Sequence, residues 1–432
     1  MEVKIAAIGL AHPFEVGFEH AGEWLEQTAE AIEKTGVRCI RTGIVLSDYE
    51  TVMCAEKQLN LLDFDVVLVC VATWSEDHHL LDLLVFRDLP MIIRALPHCE
   101  TGSLCCAHQI GAVFTEIGKR YEFVYGAAEC RESAQKVKQI ATAYALANKM
   151  GRMKTGAIGG RVKGMTEIAY DEFAIKQKLG ARVINIDEQE MTDAVCEADD
   201  SAAREVVGML QKRGYQLSST EQDLVESAKY YLGLRELVDK YDLNCMAVKC
   251  YTKYMGKVCL GYSLLAEEGV MCACEGDVTN SLAMQMLYEL SGRPVNNTDL
   301  LSLDERDNTI LYSHCGSSGF SIADGEINIA PVRLAKRGCC CLFTALPGEV
   351  TLLNFVGHGD KFRISTIGGE AVRCGMEFPG NPVKVRHRTP ITQINQKIMN
   401  HGIGHHWMVG YGDYKPVIQK FCEIKEVRYI DL

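Results

Sequence analysis

The stretch MCACEGDVTNSLAMQML, residues 271–287, puts two carboxylates, Glu275 and Asp277, where an apolar run gives way to an amphipathic helix pattern. Asp277 has the type and position of a helix N-cap, whose side-chain oxygen accepts a free N–H of the first turn. Glu275, two residues earlier, falls on the same face if the segment is extended. Two carboxylates facing one way at a strand end need a cation or a proton between them. Far downstream, HGIGHHWMVGYGD sets His405 and His406 side by side after a glycine turn and ahead of an apolar run. ILYSHCG ends an apolar strand on His314, a place that more often holds a hydrogen-bonded core residue than a ligand.

In order along the chain, GVMCACEGDVTNSLAMQML, ILYSHCG, GEVTL and GIGHHWMVGYGD resemble the central and C-terminal motifs of the L-fucose and L-arabinose isomerase superfamily, with GARVINIDEQEM ahead of them. The resemblance covers most of the chain, and the CEGD and HHW blocks are its specific part. It implies two α/β domains and a C-terminal β domain, a bound Mn²⁺, and aldose–ketose conversion through a cis-enediol. It also implies a homo-oligomer, trimer or hexamer, with active sites near subunit interfaces. By motif, Asp277 is expected to be a metal ligand and general acid/base, and His406 a metal ligand. Glu275 and His314 are expected beside them as further candidate ligands, and Glu275 and His405 as further catalytic candidates. Mixed carboxylate and imidazole donors suit Mn²⁺.

One position departs from the superfamily. At the place of its third ligand and second base, a Glu, this chain has Lys253, within VKCYTKYMG. A protonated ammonium has no lone pair for a metal and is no base. Beside a cation its pKa should fall, or it should pair with an anion instead. Losing one of two shuttling carboxylates forfeits about 10² to 10⁴ in rate. The expected reaction therefore moves away from isomerisation. It becomes hydrolytic C–C ring opening of a small cyclic β-diketone by metal-bound hydroxide, with Lys253 stabilising the oxyanion. A small carbonyl compound is the expected partner. Two other readings stand beside it. One is an aldose–ketose isomerase in which Glu275 or Glu268 replaces the missing base and Lys253 holds an anionic sugar. The other is a non-catalytic sugar-binding protein, against which the retention of both Asp277 and His406 argues.

These residues need a scaffold, and the chain supplies an α/β pattern. EVKIAAIGL reads as a buried strand, and the following helix puts Ala21, Leu25, Ala29 and Ile32 on one face before Gly36 stops it. VRCIRTGIV, DVVLVCVAT and MIIRALP follow as strands spaced by helices, which means a parallel, doubly wound sheet. A second α/β pattern opens near Lys154, with TGAIGGRVKG, a helix from Tyr170 to Lys178, the strand ARVINID, a long helix over 221–240 and the strand LNCMAVKC. The GGRVKG loop lacks the G-x-G-x-x-G spacing of a dinucleotide fingerprint. From about Glu326, short strands with glycine turns predict an antiparallel β domain. The expected domains are 1–152, 153–318 and 319–432.

Bulk composition narrows the function classes. The 432 residues carry a formal net charge of −12 and no basic run, which argues against a nucleic-acid surface. No window is long and apolar enough to span a bilayer, and MEVKIAAIGLAH lacks a basic n-region, so a cytoplasmic protein is expected. The 19 cysteines lack zinc-finger spacing and read mostly as small buried hydrophobes.

Overall fold

The β-branched runs of the first third become five parallel strands: β1 (Lys4–Leu10), β2 (Arg38–Leu46), β3 (Val66–Val71), β4 (Met91–Ala95) and β5 (Glu122–Tyr125). They are ordered β2-β1-β3-β4-β5 in a computed structural model that describes residues 1–432, the side chain of Phe86 aside. Every residue of β3, VVLVCV, is buried, because helices cover both faces of such a sheet. The helix Ala21–Glu33 buries Ala21, Leu25, Ala29 and Ile32, the face its spacing predicts, and Gly36 follows it at φ 89. These elements belong to the first of two compact units, Met1–Asn148.

The second unit, Lys149–Leu432, holds a parallel sheet and a larger antiparallel one. The parallel sheet comprises β6 (Lys154–Ile158), β7 (Arg182–Ile186), β9 (Cys245–Val248) and β10 (Met271–Ala273), ordered β10-β9-β6-β7. Between β7 and β9 in sequence lies β8 (Gln216–Leu217), which pairs with β13 (Asn328–Ala330), itself paired with β14 (Cys340–Leu342). The other sheet comprises β11 (Asn296–Asp304), β12 (Thr309–Ser313), β15 (Gly348–Val356), β16 (Arg363–Val372), β17 (Val383–His387), β18 (His406–Tyr411) and β19 (Arg428–Asp431). Its order is β15-β18-β11-β12-β17-β16-β19, and β15 also pairs with β16. That extra ladder closes six strands on themselves, so the β domain is a small barrel without a free edge among those six. One apolar core joins barrel residues such as Tyr312, Leu352 and Trp407 to Leu260 and Leu264 of the helix Cys259–Glu267.

Two local expectations change. The antiparallel structure begins at Asn296 rather than near Glu326, because β11, NNTDLLSLD, is too polar to read as a core strand. The helix expected from Tyr170 to Lys178 is shorter and wider. Asp171 caps its first turn through the Ala174 N–H, and Ile175–Leu179 wind as a π turn ending on Gly180. The helix over 221–240 forms as Glu221–Tyr241, and no helix among the described residues is long and apolar enough to cross a membrane.

Gly233, inside that helix, marks where it meets the helix Glu188–Glu197. A Cβ there would stand 2.8 Å from the Val195 backbone nitrogen and 3.0 Å from the Ala194 carbonyl carbon. Alanine ordinarily stabilises a helix over glycine by about 0.5–1 kcal/mol, but overpacking against backbone costs about 1–3 kcal/mol. Gly233→Ala should therefore lower stability, by about 1–2 kcal/mol on those figures. Urea denaturation followed by circular dichroism checks the sign. A more stable variant would mean that the two helices part without cost.

Candidate metal centre

The carboxylate pair is positioned by a turn. β10 ends at Ala273, and Cys274–Gly276 make one 3₁₀ turn in which Glu275 (φ 64) and Gly276 (φ 77) are both left-handed. A non-glycine residue is uncommon there, and only glycine fits at 276, where a Cβ would stand 2.2 Å from the Gly160 carbonyl oxygen. The GGRVKG loop thus acts as a cradle, with the Val162 N–H donating to the Glu275 carbonyl at 3.2 Å. The Glu275 N–H donates to Cys250 Sγ, also at 3.2 Å. The segment is not extended, so alternation does not set the facing of Glu275 and Asp277. The turn does.

Asp277 then caps the helix Val278–Ser291. Its Oδ1 accepts the Asn280 N–H and the Thr279 hydroxyl, both at 3.1 Å. Its Oδ2 accepts Asn280 Nδ2–H at 2.6 Å and lies 2.8 Å from His406 Nδ1. Both oxygens of this buried carboxylate are therefore occupied.

The histidines arrive on the barrel. His406 opens β18, directly opposite Asp299 of β11, and Asn354 Nδ2 of β15 donates to its carbonyl at 2.7 Å. With Nδ1 turned to Asp277, Nε2 is left 3.2 Å from Glu275 Oε2 without hydrogen-bond alignment, and 3.8 Å from Asp299 Oδ1. His314 follows the end of β12, its ring 5.7 Å from that of His406 and its Nε2 3.8 Å from Asp299 Oδ2. His405 lies over His406 with ring centres 3.9 Å apart, its Nδ1 2.6 Å from Glu167 Oε1 and its Nε2 3.9 Å from Glu275 Oε2. Donor atoms of Glu275, His314 and His406 all lie within 4.8 Å of one another, and Asp299, His405 and His406 form a second group of that kind. His406 has a single free nitrogen, so the two groups describe one centre.

The charges are arranged accordingly. Burial alone would raise the Glu275 carboxyl, but the imidazoles of His405, His406 and His314 beside it outweigh that and hold it well below the usual range. Burial alone would lower His406, but Asp277 and then Glu275 overcome it, and its pKa is pushed up to about 9. His314 is raised against the same burial by Cys315, Asp299 and Glu275. Protons stand here as the positive charge between carboxylates. Three polar atoms of the residues gathered here are buried with no hydrogen-bond partner: His406 Nε2, His314 Nδ1 and Asp299 Oδ1. Each such atom ordinarily costs about 1–3 kcal/mol. Orphaned imidazole nitrogens among carboxylate oxygens are the donor set of a divalent metal site, so the residues fit the expected cofactor.

Five of the six sequence candidates, Glu275, Asp277, His314, His405 and His406, meet here. Asp277 stands outside both donor groups, and its oxygens are engaged by Thr279, Asn280 and His406. Lys253 does not join them. It is exposed and pairs with Glu188, which raises its pKa, so the anion pairing weighed from the sequence is the outcome and an oxyanion role at this centre has no support. Glu268, the other substitute base considered, lies 2.7 Å from Arg235 Nη1. Asp299 and Glu167 were not legible as site residues. Their only signal is a polar residue inside β11, and an acid shortly after the GGRVKG loop.

No protein-family profile matches the chain. Over most of its length it is similar to proteins named sulfoquinovose isomerase. That of Priestia aryabhattai is 22% identical, covering 85% of this chain and 87% of the relative. That of Alkalicoccus urumqiensis is 23% identical, covering 80% and 81%. That of Clostridium sp. (strain MSTE9) is 24% identical, covering 73% and 72%. All are named isomerases. This overturns the expected C–C hydrolase acting on a cyclic β-diketone, which rested on Lys253 taking a place beside the metal.

Two outcomes follow from this geometry. His406→Ala and Asp277→Asn should each weaken divalent-metal binding at least about tenfold, the second because the ring loses its orienting acceptor. Lys253→Ala should leave metal content unchanged by inductively coupled plasma mass spectrometry. In addition, a folded-state pKa of about 9 for His406 against an ordinary 6.5 stabilises the metal-free protein fully below pH 6.5, and that stability is lost as pH rises to about 9. Urea midpoints in EDTA should fall across that window in wild type and more shallowly in Asp277→Asn. Metal affinity should rise over the same range, since the ligand must shed its proton.

Proposed function

We propose that the chain is a divalent-metal-dependent aldose–ketose isomerase acting on a small sugar, with Mn²⁺ as the metal. The observation that carries the reading is the buried group of Glu275, His314 and His406, with the free Nε2 of His406 turned toward Glu275 because Asp277 holds Nδ1. The similarity to named isomerases supports the reaction class. Their common name makes an aldose bearing a sulfonate the first substrate to test.

Glu275, His314 and His406 would hold the metal, which when bound polarises a carbonyl and its neighbouring hydroxyl. Asp277 is assigned here as the residue that fixes the tautomer and ring plane of His406, rather than as the ligand that the motif implies. Glu167 does the same for His405, leaving His405 Nε2 to face the open side, where a sugar hydroxyl can meet it. That side is open: the side chains of His405 and Asp299 are 40% and 32% exposed. An open rim supports a homo-oligomer in which a second copy completes the enclosure.

Metal-replete protein incubated with sulfoquinovose and with neutral aldoses should form the corresponding ketose, followed by NMR. EDTA should abolish conversion and Mn²⁺ restore it. Absence of any ketose from every aldose tested, with metal bound, would overturn the reading. Light scattering of the same sample should give a mass above one chain.

A further inference from the structure

An isomerase at this centre needs a group that lifts a proton from one carbon and returns it to the next. The resemblance would place that group at Lys253, which is exposed and paired with Glu188. Four carboxylates surround the histidines, and three are committed. Asp277 is buried with both oxygens filled by Thr279, Asn280 and His406. Glu167 is taken by His405 Nδ1. Glu275 is buried against His406 Nε2. Asp299 remains, with Oδ1 buried and free of any hydrogen bond and the side chain as a whole 32% exposed at the open side of the site.

Its placement is rigid. β11 pairs antiparallel with β18 on one side and β12 on the other, and the registers Asp299↔His406 and Asp299↔Ser313 fix it between the strands that deliver His406 and His314. Its oxygens lie 3.8 Å from His406 Nε2, 3.8 Å from His314 Nε2 and 4.0 Å from His405 Nε2. Glu275 is nearer to His406 Nε2, at 3.2 Å, and is the more buried of the two. Glu275, with His314 and His406, would therefore hold the ion, which would leave Asp299 to meet the substrate.

We propose that Asp299 is the base that carries the proton between C1 and C2 of the sugar, replacing the carboxylate that Lys253 displaced; the proposal rests on the isomerase reading above. The carboxylate takes the proton from C2. The C2–H electron pair becomes the C1=C2 bond, and the carbonyl π pair moves to O1, which gains a proton. Return of the first proton from Asp299 to C1, with the O2 proton supplying the one O1 gained, leaves the carbonyl at C2. Atoms and electrons balance with no other reactant.

The test uses metal-replete full-length protein, wild type and Asp299→Asn, with metal content, ketose formation and C2 exchange in D₂O read together. Asp299→Asn should keep its metal, hold KM within a few-fold and lose about 10² to 10⁴ in kcat, with C2 exchange lost in parallel. Activity within tenfold of wild type overturns the assignment. So does loss of metal comparable to His406→Ala, which would make Asp299 a ligand. Should Asp299→Asn fail to fold, Asp299→Ala with its metal retained gives the decision. Added formate should restore part of its rate, and no restoration overturns the role. A wild type that isomerises no aldose condemns the isomerase reading itself, separately from Asp299.

Discussion

The contact between Asp277 Oδ2 and His406 Nδ1, 2.8 Å long and spanning 129 residues of sequence, is the constraint on which the centre turns. At one end is the N-cap of the helix Val278–Ser291, and at the other the first residue of a barrel strand. Neither end has alternatives. Asp277 is pinned as an N-cap by Thr279 and Asn280, and the carbonyl of His406 is pinned by Asn354. Because Nδ1 is spoken for, Nε2 must point the other way, toward Glu275 and Asp299. The direction of this candidate ligand follows from a hydrogen bond on its far side, an arrangement also common in metal-bound histidines.

The same contact explains why the buried charges tolerate each other. A carboxylate pressed into a dry site is costly unless it is paired, yet Glu275 keeps its charge because imidazolium groups face it. These imidazoles hold protons more tightly than usual for the same reason. A divalent cation offers the carboxylates more charge than a proton does, at a place where protein donors already converge.

What the sequence revealed was what lies close together in it. Glu275 and Asp277 stand out because a strand, a turn and an N-cap share a few residues, and His405 and His406 because they are adjacent after a glycine. The α/β strands were legible because buried parallel strands are continuous apolar runs. Asp299 was hidden because its partners are set by strand register, with His406 more than a hundred residues away and His314 across a hairpin. Lys253 misled because linear position does not dictate where a side chain goes. The residues around it are turns, and its ammonium finds Glu188 on the surface. That one residue carried the sequence reading from isomerase to hydrolase.

Among the six barrel strands that close on themselves, β18 is the last in chain order, and it lies between β15 and β11. It is the strand whose insertion completes the ring, and its first residue is His406. During synthesis, therefore, barrel closure and delivery of the imidazole to Asp277 are one event. Until β18 is in place, Asp277 waits as a capped but unpartnered acid, and the barrel is an open sheet with two exposed edges. Non-local pairing of this kind is slow to form. The complete centre therefore requires the closed ring, since its imidazole is held by β18.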